Sequence, residues 1–312
     1  MEIYTSLEDI RDKPAVVLAI GSFDGMHLGH RAILGKVRDE AERRGVESMV
    51  ITFAPTPREV LSGQKEIALM KADEKIAAIR DTGIERVCIK HFDRAFARIG
   101  RDEFIERLLT YLDLRALVAG PDHHVGQKHE GGIDFLRETG HARGFDLIVV
   151  PKARYKGMDI SSQLIRKTLK EGNIADVNAM LGSSYRISGT VVPGVKRGRS
   201  LGYPTLNVTP DLASCLIPAY GVYAVTIDLN GRTYPAVCNI GVRPTFIEDN
   251  LSIEVHVMNE ELDHQYGKAI GIHFEHFVRE ERKFESQEAL IEQIKNDIET
   301  CKKILTEEKC QR

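Results

Sequence analysis

The sequence changes its pattern near Gly182–Ser183, and this change constrains the fold more than any other feature of the 312 residues. Before it, continuous apolar runs such as Ala15–Ile20 alternate with stretches of helical periodicity, the pattern of a parallel sheet covered by helices. After it come short alternating stretches, two of which flank Asn230–Gly231, a dipeptide typical of hairpin turns. We therefore expect an α/β domain over 1–182 and a small antiparallel barrel or sandwich over 183–312.

The predicted elements alternate along the first part of the chain. Apolar runs predict the strands, and one-sided apolar spacing predicts the helices between them. The strands are expected at 15–20, 48–53, 86–92, 115–120 and 145–151, and the helices at 29–44, 71–83, 102–113 and 132–144. Two short helices, 159–172 and 174–182, precede the change of pattern, and a last helix is expected from Ser286 to Leu305.

Composition narrows the class of protein. Lys and Arg number 43 and Asp and Glu 46, a net charge of -3, which gives no sign of a nucleic-acid partner. No N-terminal run resembles a signal peptide and no apolar stretch is long enough to span a bilayer, so we expect a cytoplasmic protein without membrane association. The cysteines form no C-x-x-C pair, and reduced thiols are expected at Cys88, Cys215, Cys238, Cys301 and Cys310.

The first predicted strand runs into the segment GSFDGMHLGHRAIL, which joins it to the first helix. Gly21 and Gly25 allow the backbone to turn sharply there. His27 and His30 share one face of the first helical turn, beside amides that favour a phosphate, and imidazoles can donate to phosphate oxygens as charge develops. The alternative is a glycine-rich turn with two surface histidines. We favour a nucleotide site because strand, glycines, histidines and helix occur in the required order.

The segment VVPGVKRGRSLGYPTLNV is the most specific stretch in the chain. Its glycines and basic residues lie in one loop before a strand, and such a loop can present amides and cations to phosphates. Thr205 and Asn207 alternate on one face of that strand and offer oxygen ligands suited to Mg²⁺. Glu254, in a later alternating strand, could take the proton from an attacking hydroxyl. The alternatives are a basic turn before a polar edge strand and a solvated glutamate on a strand's outer face.

The first half resembles the H-x-G-H nucleotidylyltransferases, and within them the FMN adenylyltransferase half of bifunctional riboflavin kinase/FAD synthetases. The family motif G-x-F-D-G-x-H-x-G-H is matched by Gly21, Phe23, Asp24, Gly25, His27, Gly29 and His30. Further matches are Thr52–Phe53 with Pro55 and Pro57, Phe92–Asp93 with Phe96, and Ile160–Ser162 with Ile165–Arg166. The resemblance implies a Rossmann-like parallel-sheet domain with His27 and His30 as catalytic residues. It implies ATP contacts at Gly21, Ser22, Phe23, Asp24, His27, His30, Asp122, Ser161, Ser162 and Arg166.

Four residues of this half depart from the family pattern. Thr56 stands where the family has a histidine, Gln163 replaces a threonine, and His123 and Val125 replace two aromatic residues. These departures bear on the placement of flavin or adenine, whereas the phosphate-binding positions are kept.

A metal site is a second interpretation of the histidine-rich loop in this half. Three histidines and an acidic residue lie close together in sequence, at Asp122, His123, His124 and His129. Their spacing matches no zinc pattern, so we favour a polar loop beside the nucleotide.

The second half resembles riboflavin kinases over nearly all of residues 183–312. The matched motifs are G-x-P-T-x-N at Gly202–Asn207, G-V-Y at Gly221–Tyr223, N-I-G-x-R-P-T at Asn239–Thr245, E-x-H at Glu254–His256, Y-G at Tyr266–Gly267 and R-x-E-x-K-F at Arg279–Phe284. The resemblance implies a six-stranded Greek-key barrel with a terminal helix, Thr205 and Asn207 as holders of Mg²⁺-ATP, and Glu254 as the base that activates the riboflavin 5′-hydroxyl. It implies ATP contacts at Gly194, Lys196, Gly198, Arg199, Gly202, Pro204, Thr205 and Asn207, and flavin contacts at Arg279 and Glu281.

Together the two resemblances imply two successive transfers from ATP, first to riboflavin and then to FMN, with Mg²⁺ as cofactor and small molecules as partners. One alternative is a riboflavin kinase whose first half has lost efficient adenylyl transfer, which the four departures favour. Another is a non-catalytic flavin-binding regulator, which would not need Glu254 or the two Mg²⁺ ligands. The sequence makes no prediction of the oligomeric state.

Overall fold

The computed structural model describes residues 1–62, 67–194, 198, 201–211, 215–244, 249–260, 262 and 265–311. Lys196 and Arg199, two of the predicted ATP contacts, lie outside these residues, as does Thr245 of the N-I-G-x-R-P-T match. The chain divides into two compact units, Met1–Glu66 with Lys71–Ser161 and Ile67–Met70 with Ser162–Arg312. The first unit contains a parallel sheet and the second a closed barrel.

The sheet of the first unit has six strands, and every neighbouring pair is parallel. In chain order the elements are β1 (Glu2–Tyr4), β2 (Ala15–Ile20), α1 (Leu28–Arg44), β3 (Glu47–Phe53), α2 (Pro57–Ser62), α3 (Ala72–Asp81), β4 (Arg86–Lys90), α4 (Arg101–Tyr111), β5 (Asp113–Ala119), α5 (Ile133–Arg143), β6 (Asp146–Val149) and the short antiparallel pair β7 (Arg154–Tyr155) and β8 (Met158–Asp159). The predicted parallel sheet is confirmed. Strand β1 is an addition to it, because three mostly exposed residues at a sheet edge form no buried run.

The strand order β1-β4-β3-β2-β5-β6 marks where a ligand of this sheet should bind. From β2 the chain moves through β3 and β4 toward one edge, and from β5 it moves to β6 at the other edge. Open α/β sheets bind ligands beyond the carboxyl ends of their strands at such a reversal. The segment that follows β2 is the one that carries the two histidines.

Strand β2 is apolar throughout because both of its faces are covered. Val16, Leu18 and Ile20 belong to the main hydrophobic core of the unit. Val17 and Ala19 on the opposite face are fully buried as well, and helix α1 packs against β2 and β3. This packing fixes the end of β2, from which the turn to α1 departs.

The second unit is a closed barrel of six antiparallel strands with the order β10-β13-β12-β11-β14-β9. Its elements are α6 (Ser162–Lys170), α7 (Ile174–Leu181), β9 (Tyr185–Val192), β10 (Leu206–Pro210), β11 (Gly221–Leu229), β12 (Arg232–Pro244), β13 (Asp249–Val257), β14 (Ala269–Arg279) and α8 (Gln287–Gln311). Strands β11, β12 and β13 follow one another, and β14 returns beside β11, which is Greek-key order. The barrel is therefore confirmed, and the sandwich is excluded for the described strands.

Local features of the barrel follow the sequence pattern. The hairpin predicted at Asn230–Gly231 joins β11 to β12, and both residues have the positive φ that its turn requires, 52° and 75°. Helix α8 packs on the barrel through Cys301 and Leu305, which form a buried cluster with Ala224. The predicted terminal helix is thus confirmed.

Helices α6 and α7 belong to the second compact unit, and the division between the two compact units falls at Ser161–Ser162. Asn178 of α7 explains part of this attachment. Its amide donates to the carbonyl oxygen of Phe274 (2.8 Å), and its Oδ1 accepts from the backbone N–H of Tyr185 (2.8 Å). A functional division at residue 182 stays a prediction.

The structure also bears on the expectations about membrane spans and cysteines. Across the described ranges, no helix has the length and apolar character needed to cross a bilayer. The cysteines with described side chains are free thiols, and all are buried: Cys88, Cys215, Cys238 and Cys301.

Candidate active sites

The turn between β2 and α1 brings His27 and His30 together. His27 is the N-cap of α1, and its Nδ1 accepts a hydrogen bond from the backbone N–H of His30 (3.3 Å). The two imidazole rings stack, with centroids 3.6 Å apart and planes inclined by 19°. The pair therefore sits at a helix N-terminus, where free amides and the helix dipole favour a phosphate. The same turn contains the predicted contact residues Gly21, Ser22, Phe23 and Asp24.

Both imidazoles are neutral near pH 7 in the free protein. Burial lowers the pKa of His27 to about 4. Burial, and then the charges of His27 and Lys75, lower the pKa of His30 well below its ordinary value. Since Nδ1 of His27 accepts a hydrogen bond, its proton lies on Nε2, which can donate to a ligand. Nδ1 of His30 is buried without a hydrogen-bond partner among the described residues.

The backbone of this turn adopts conformations that most residues avoid. Phe23 (φ 48°), Gly25 (80°) and Met26 (41°) all have positive φ, which costs about 1–3 kcal/mol for each non-glycine residue. Gly29 leaves room for the stacked rings, because a Cβ there would lie 3.2 Å from the His27 imidazole. Strain of this kind persists only where the surrounding structure holds it, and it is concentrated at functional sites.

A buried lysine that the sequence analysis missed contacts this turn. Lys75 of α3 is 7% exposed, and its ammonium group donates to the carbonyl oxygens of Ser22 (3.1 Å) and Phe53 (3.0 Å). Thr52 Oγ1 donates to the same Ser22 carbonyl (3.2 Å). The helical spacing could have indicated it, because Lys75 lies one turn before the buried Ile79 on the same face of α3.

The loop that follows β5 explains two of the departures from the family pattern. Val125 is 5% exposed and exchanges two backbone hydrogen bonds with Gly131 (2.9 and 3.0 Å), so its side chain belongs to the hydrophobic core. His123 is half-buried, and burial lowers its pKa to about 4, so a neutral imidazole ring replaces an aromatic one. Asp122 is exposed and forms an ion pair with Lys152. The ATP contact predicted for Asp122 stays a prediction.

The structure does not assemble a metal site from this loop in the part of the chain it describes. No group of three or more His, Cys, Asp or Glu side chains is gathered among those residues. The ring of His124 turns back to its own loop, with Nδ1 2.7 Å from the carbonyl oxygen of Asp122. The side chain of His129 lies outside the described set.

Four further residues of the compared motifs lie in or next to the short helices α2 and α6. Thr56 precedes α2, and its Oγ1 accepts a hydrogen bond from the backbone N–H of Glu59 (3.3 Å), so the threonine caps this helix. Ser161 ends the first compact unit, whereas Ser162 and Arg166 lie in α6 of the second. The predicted contacts of these three residues with ATP stay predictions.

Three polar residues line up across three strands of the barrel. Asn207 of β10 lies opposite Glu254 of β13, and Glu254 lies opposite Asn239 of β12. Directly opposed residues share a face, with Cβ atoms about 4.5–5.5 Å apart. The barrel therefore brings a predicted Mg²⁺ ligand next to the predicted base. It adds Asn239, which the sequence analysis noted only as part of a matched motif.

Thr205 and two neighbours complete this polar group. Thr205 Oγ1 donates to Oε2 of Glu254 (3.3 Å), and Ser252 Oγ donates to its other carboxylate oxygen (3.4 Å). His256 lies on the same face and donates through Nδ1 to the carbonyl oxygen of Pro204 (2.9 Å). This bond fixes the backbone directly before Thr205, which agrees with a structural role for His256.

The glycines of the loop before β10 allow the backbone to pass close to this group. A side chain at Gly194 would overlap the amide of Asn207. A side chain at Gly198 would overlap the carbonyl oxygen of Tyr203 and approach Thr205 Oγ1. Gly194 and Gly198 thus lie directly against the two predicted Mg²⁺ ligands.

The two residues predicted to contact flavin have partners within the barrel unit. Arg279 forms a two-pronged ion pair with Asp297 of α8, with nitrogen–oxygen distances of 2.8 to 3.1 Å. The carboxylate of Glu281 lies over Gly241, where any side chain would overlap it. Arg279 therefore anchors α8 to the end of β14, and the flavin contacts of both residues stay predictions.

Family models match both halves of the chain. A model described as FAD synthetase matches residues 9–164, a range that contains the histidine turn. A model described as riboflavin kinase matches residues 181–305 and contains the polar group of the barrel.

Relatives match the chain over most of its length. The bifunctional riboflavin kinase/FMN adenylyltransferase of Bacillus subtilis (strain 168) is 37% identical over 90% of this chain and 90% of its own. The protein of the same name from Escherichia coli (strain K12) is 35% identical over 95% of this chain and 96% of its own. A crystal structure described as a macrolide-efflux protein from Streptococcus pneumoniae has a TM-score of 0.88 at 26% identity, covering 96% of this chain and 98% of that one. The chain belongs to the family of bifunctional riboflavin kinase/FMN adenylyltransferases.

Proposed function

We propose that this chain phosphorylates riboflavin to FMN with ATP and then adenylylates FMN to FAD with a second ATP. The observation that carries the proposal is the presence of two chemically different polar sites, one in each compact unit. A stacked histidine pair lies at the start of a helix in the first, and a carboxylate with hydroxyl and amide neighbours lies on the barrel. Each site lies within the residues that the corresponding family model matches.

In the kinase step, Glu254 accepts the proton of the riboflavin 5′-hydroxyl. The oxygen attacks the γ-phosphorus of ATP, the bond to the bridging oxygen breaks, and ADP leaves. The hydrogen bonds from Thr205 and Ser252 hold the carboxylate in a fixed orientation for this proton transfer. Positioning of this kind supplies most of the rate in phosphoryl transfer.

The same group suits Mg²⁺. Thr205 and Asn207 offer oxygen atoms beside a carboxylate, the donor set that this hard cation prefers, with phosphates to complete its shell. When bound, Mg²⁺ neutralises charge on the phosphates. Lys196 and Arg199 in the preceding loop would add positive charge toward the same phosphates.

In the second step, a phosphate oxygen of FMN attacks the α-phosphorus of ATP, and pyrophosphate leaves. His27 donates from Nε2, and the His30 ring is stacked against it, so the pair stabilises charge on the transferring and leaving groups. Ser161, at the end of the same compact unit, would contact the same phosphates. No covalent intermediate with the protein is needed.

Replacing Gly194 with alanine should impair the kinase step alone. The added methyl group would displace the Asn207 amide, so we expect FMN formation to fall by about tenfold or more, mainly through a raised KM for Mg²⁺-ATP. FAD formation from supplied FMN should not change. Gly35→Ala is the matched control, since a Cβ at this position of α1 meets no atom within 4 Å. Unchanged kinase kinetics in Gly194→Ala would contradict the placement of Asn207 at the ATP site.

Riboflavin phosphorylation should stay with the barrel when the chain is divided into fragments. We expect a fragment of residues 183–312 to phosphorylate riboflavin, and a fragment of residues 162–312 to do so with a higher melting temperature. The longer fragment retains α7 and the hydrogen bonds of Asn178 to the barrel strands. Melting curves and riboflavin phosphorylation assays of both fragments test this expectation. A folded but inactive longer fragment would show that the kinase site needs residues of the first unit.

Incubation with riboflavin, ATP and Mg²⁺, followed by chromatography, tests the whole proposal. FAD is the expected product. FMN alone would favour a kinase with an impaired first unit, and the absence of any product would favour a flavin-binding regulator. We place the protein in the cytoplasm, where riboflavin and ATP are both at hand and thiols stay reduced.

A further inference from the structure

Lys75 is a buried cation that the mechanism above does not use. It lies on α3, and only 7% of it is exposed. Lysines are almost never fully buried unless they are paired, because desolvation of the ammonium group is costly. The burial of Lys75 therefore indicates that its ammonium group has specific partners.

The partners of Lys75 are two carbonyl oxygens at the active-site edge of the sheet. Phe53 is the last residue of β3, and Ser22 lies two residues beyond the end of the neighbouring strand β2. The ammonium group donates to both, at 3.0 and 3.1 Å. One side chain thus ties helix α3 to the ends of two adjacent strands. Its removal would take one donor from each carbonyl. Ser22 would keep the hydrogen bond from Thr52, and a buried carbonyl left unsatisfied costs about 1–3 kcal/mol.

The Ser22 carbonyl is directly followed by the strained part of the histidine turn. Phe23 and Met26 have positive φ, and the ring of Phe23 packs edge-on against His30 at 5.3 Å. A shift of Ser22 would therefore be passed to Phe23 and from there to the imidazole. Misplacement of reacting groups by about 1 Å can reduce a rate by about 10²-fold.

The charge of Lys75 also acts on this turn. The Asp24 carboxylate raises the pKa of Lys75 against the effect of burial. The charge of Lys75, after burial and the charge of His27, lowers the pKa of His30. The groups that act on the His30 ring are thus the imidazole of His27 on α1 and the ammonium of Lys75 on α3, with Asp24 acting on the latter.

We propose that Lys75 is a positioning residue for adenylyl transfer: its ammonium group holds the turn between β2 and α1 in the geometry in which His27 and His30 meet the phosphates. This inference rests on the proposed adenylyl transfer at that turn. It goes beyond it by assigning a role to a residue of α3 that need not touch either substrate.

The test compares Lys75→Met, Lys75→Arg and the control Arg80→Met in the full chain. Arg80 is an exposed cation on the same helix. In Lys75→Met, we expect kcat for FAD formation from FMN to fall by about 10–100-fold with KM little changed, while riboflavin phosphorylation stays within twofold. Lys75→Arg keeps a charged donor and should restore most of kcat, and Arg80→Met should behave as the wild type.

A second measurement does not depend on activity. NMR titration of the His30 ring should show a higher pKa in Lys75→Met than in the wild type, because a neighbouring positive charge is lost. An unchanged kcat, or an unchanged His30 titration with a kcat loss that Lys75→Arg fails to restore, would overturn the proposal. If the wild type forms no FAD, the proposed function of the first unit fails, and the titration still tests the contact with Lys75.

Discussion

Replacing both His27 and His30 with alanine should abolish FAD formation while FMN formation continues. Removal of one well-placed donor to a developing negative charge costs about 10²–10³-fold in rate, so loss of both should cost at least about 10³-fold. The rings stack at the start of α1 and present the only imidazoles of this turn, so no neighbour in the turn can replace them. Product chromatography with riboflavin and then with FMN as substrate separates the two activities.

Two further variants test whether a loss of FAD formation is caused by destabilisation of the fold. His27 caps α1, so its loss could lower stability by about 1 kcal/mol, whereas His27→Asn retains a capping side chain without an imidazole. We expect His27→Asn to lose FAD formation with a melting temperature close to the wild type. His141→Ala, an exposed histidine of α5, should leave both activities intact. FAD formation by the double alanine variant at a tenth of the wild-type rate or more would remove the histidine pair from the mechanism.

Glu254→Gln should reduce FMN formation by about 10²–10⁴-fold, the usual contribution of a general base. Glutamine keeps the size of the side chain and can still accept the hydrogen bond from Thr205, so ATP binding should change little. The loss should therefore appear in kcat rather than in KM for ATP. FAD formation from supplied FMN should be unaffected.

The matched control for this variant is Glu260→Gln. Glu260 is an exposed glutamate shortly after the end of β13, and its neutralisation alters the net charge by the same amount. Steady-state kinetics with riboflavin and Mg²⁺-ATP should distinguish the two variants clearly. Near-normal turnover in Glu254→Gln would show that the carboxylate does not accept the proton.

The alternation of apolar runs and helical stretches was sufficient to predict the fold of the first unit. Strand β2 is continuously apolar because both faces are covered, and that pattern is visible in the sequence. Strand β1 was not predictable, because its three residues at the sheet edge are mostly exposed and follow no alternation. The compact division at Ser161–Ser162 depends on tertiary contacts such as those of Asn178, and no local pattern reveals them.

In the candidate sites as well, residues close in sequence were predictable, and residues brought together by tertiary structure were not. His27 and His30 are close in sequence and were predictable from one motif, whereas Lys75 approaches the turn from another helix. Asn239 reaches Glu254 only through the register of β12 and β13. Thr56 and Val125 departed from the family pattern for local reasons that need coordinates, a helix cap in one case and a core position in the other.

This chain carries both activities only if its first unit transfers an adenylyl group from ATP to FMN. Wild-type protein saturated with FMN and supplied with Mg²⁺-ATP, without riboflavin, tests it most directly. Chromatography should detect FAD, and a coupled assay should detect one pyrophosphate for each FAD formed. FMN that remains unchanged, with no pyrophosphate released, would contradict adenylyl transfer and leave a riboflavin kinase.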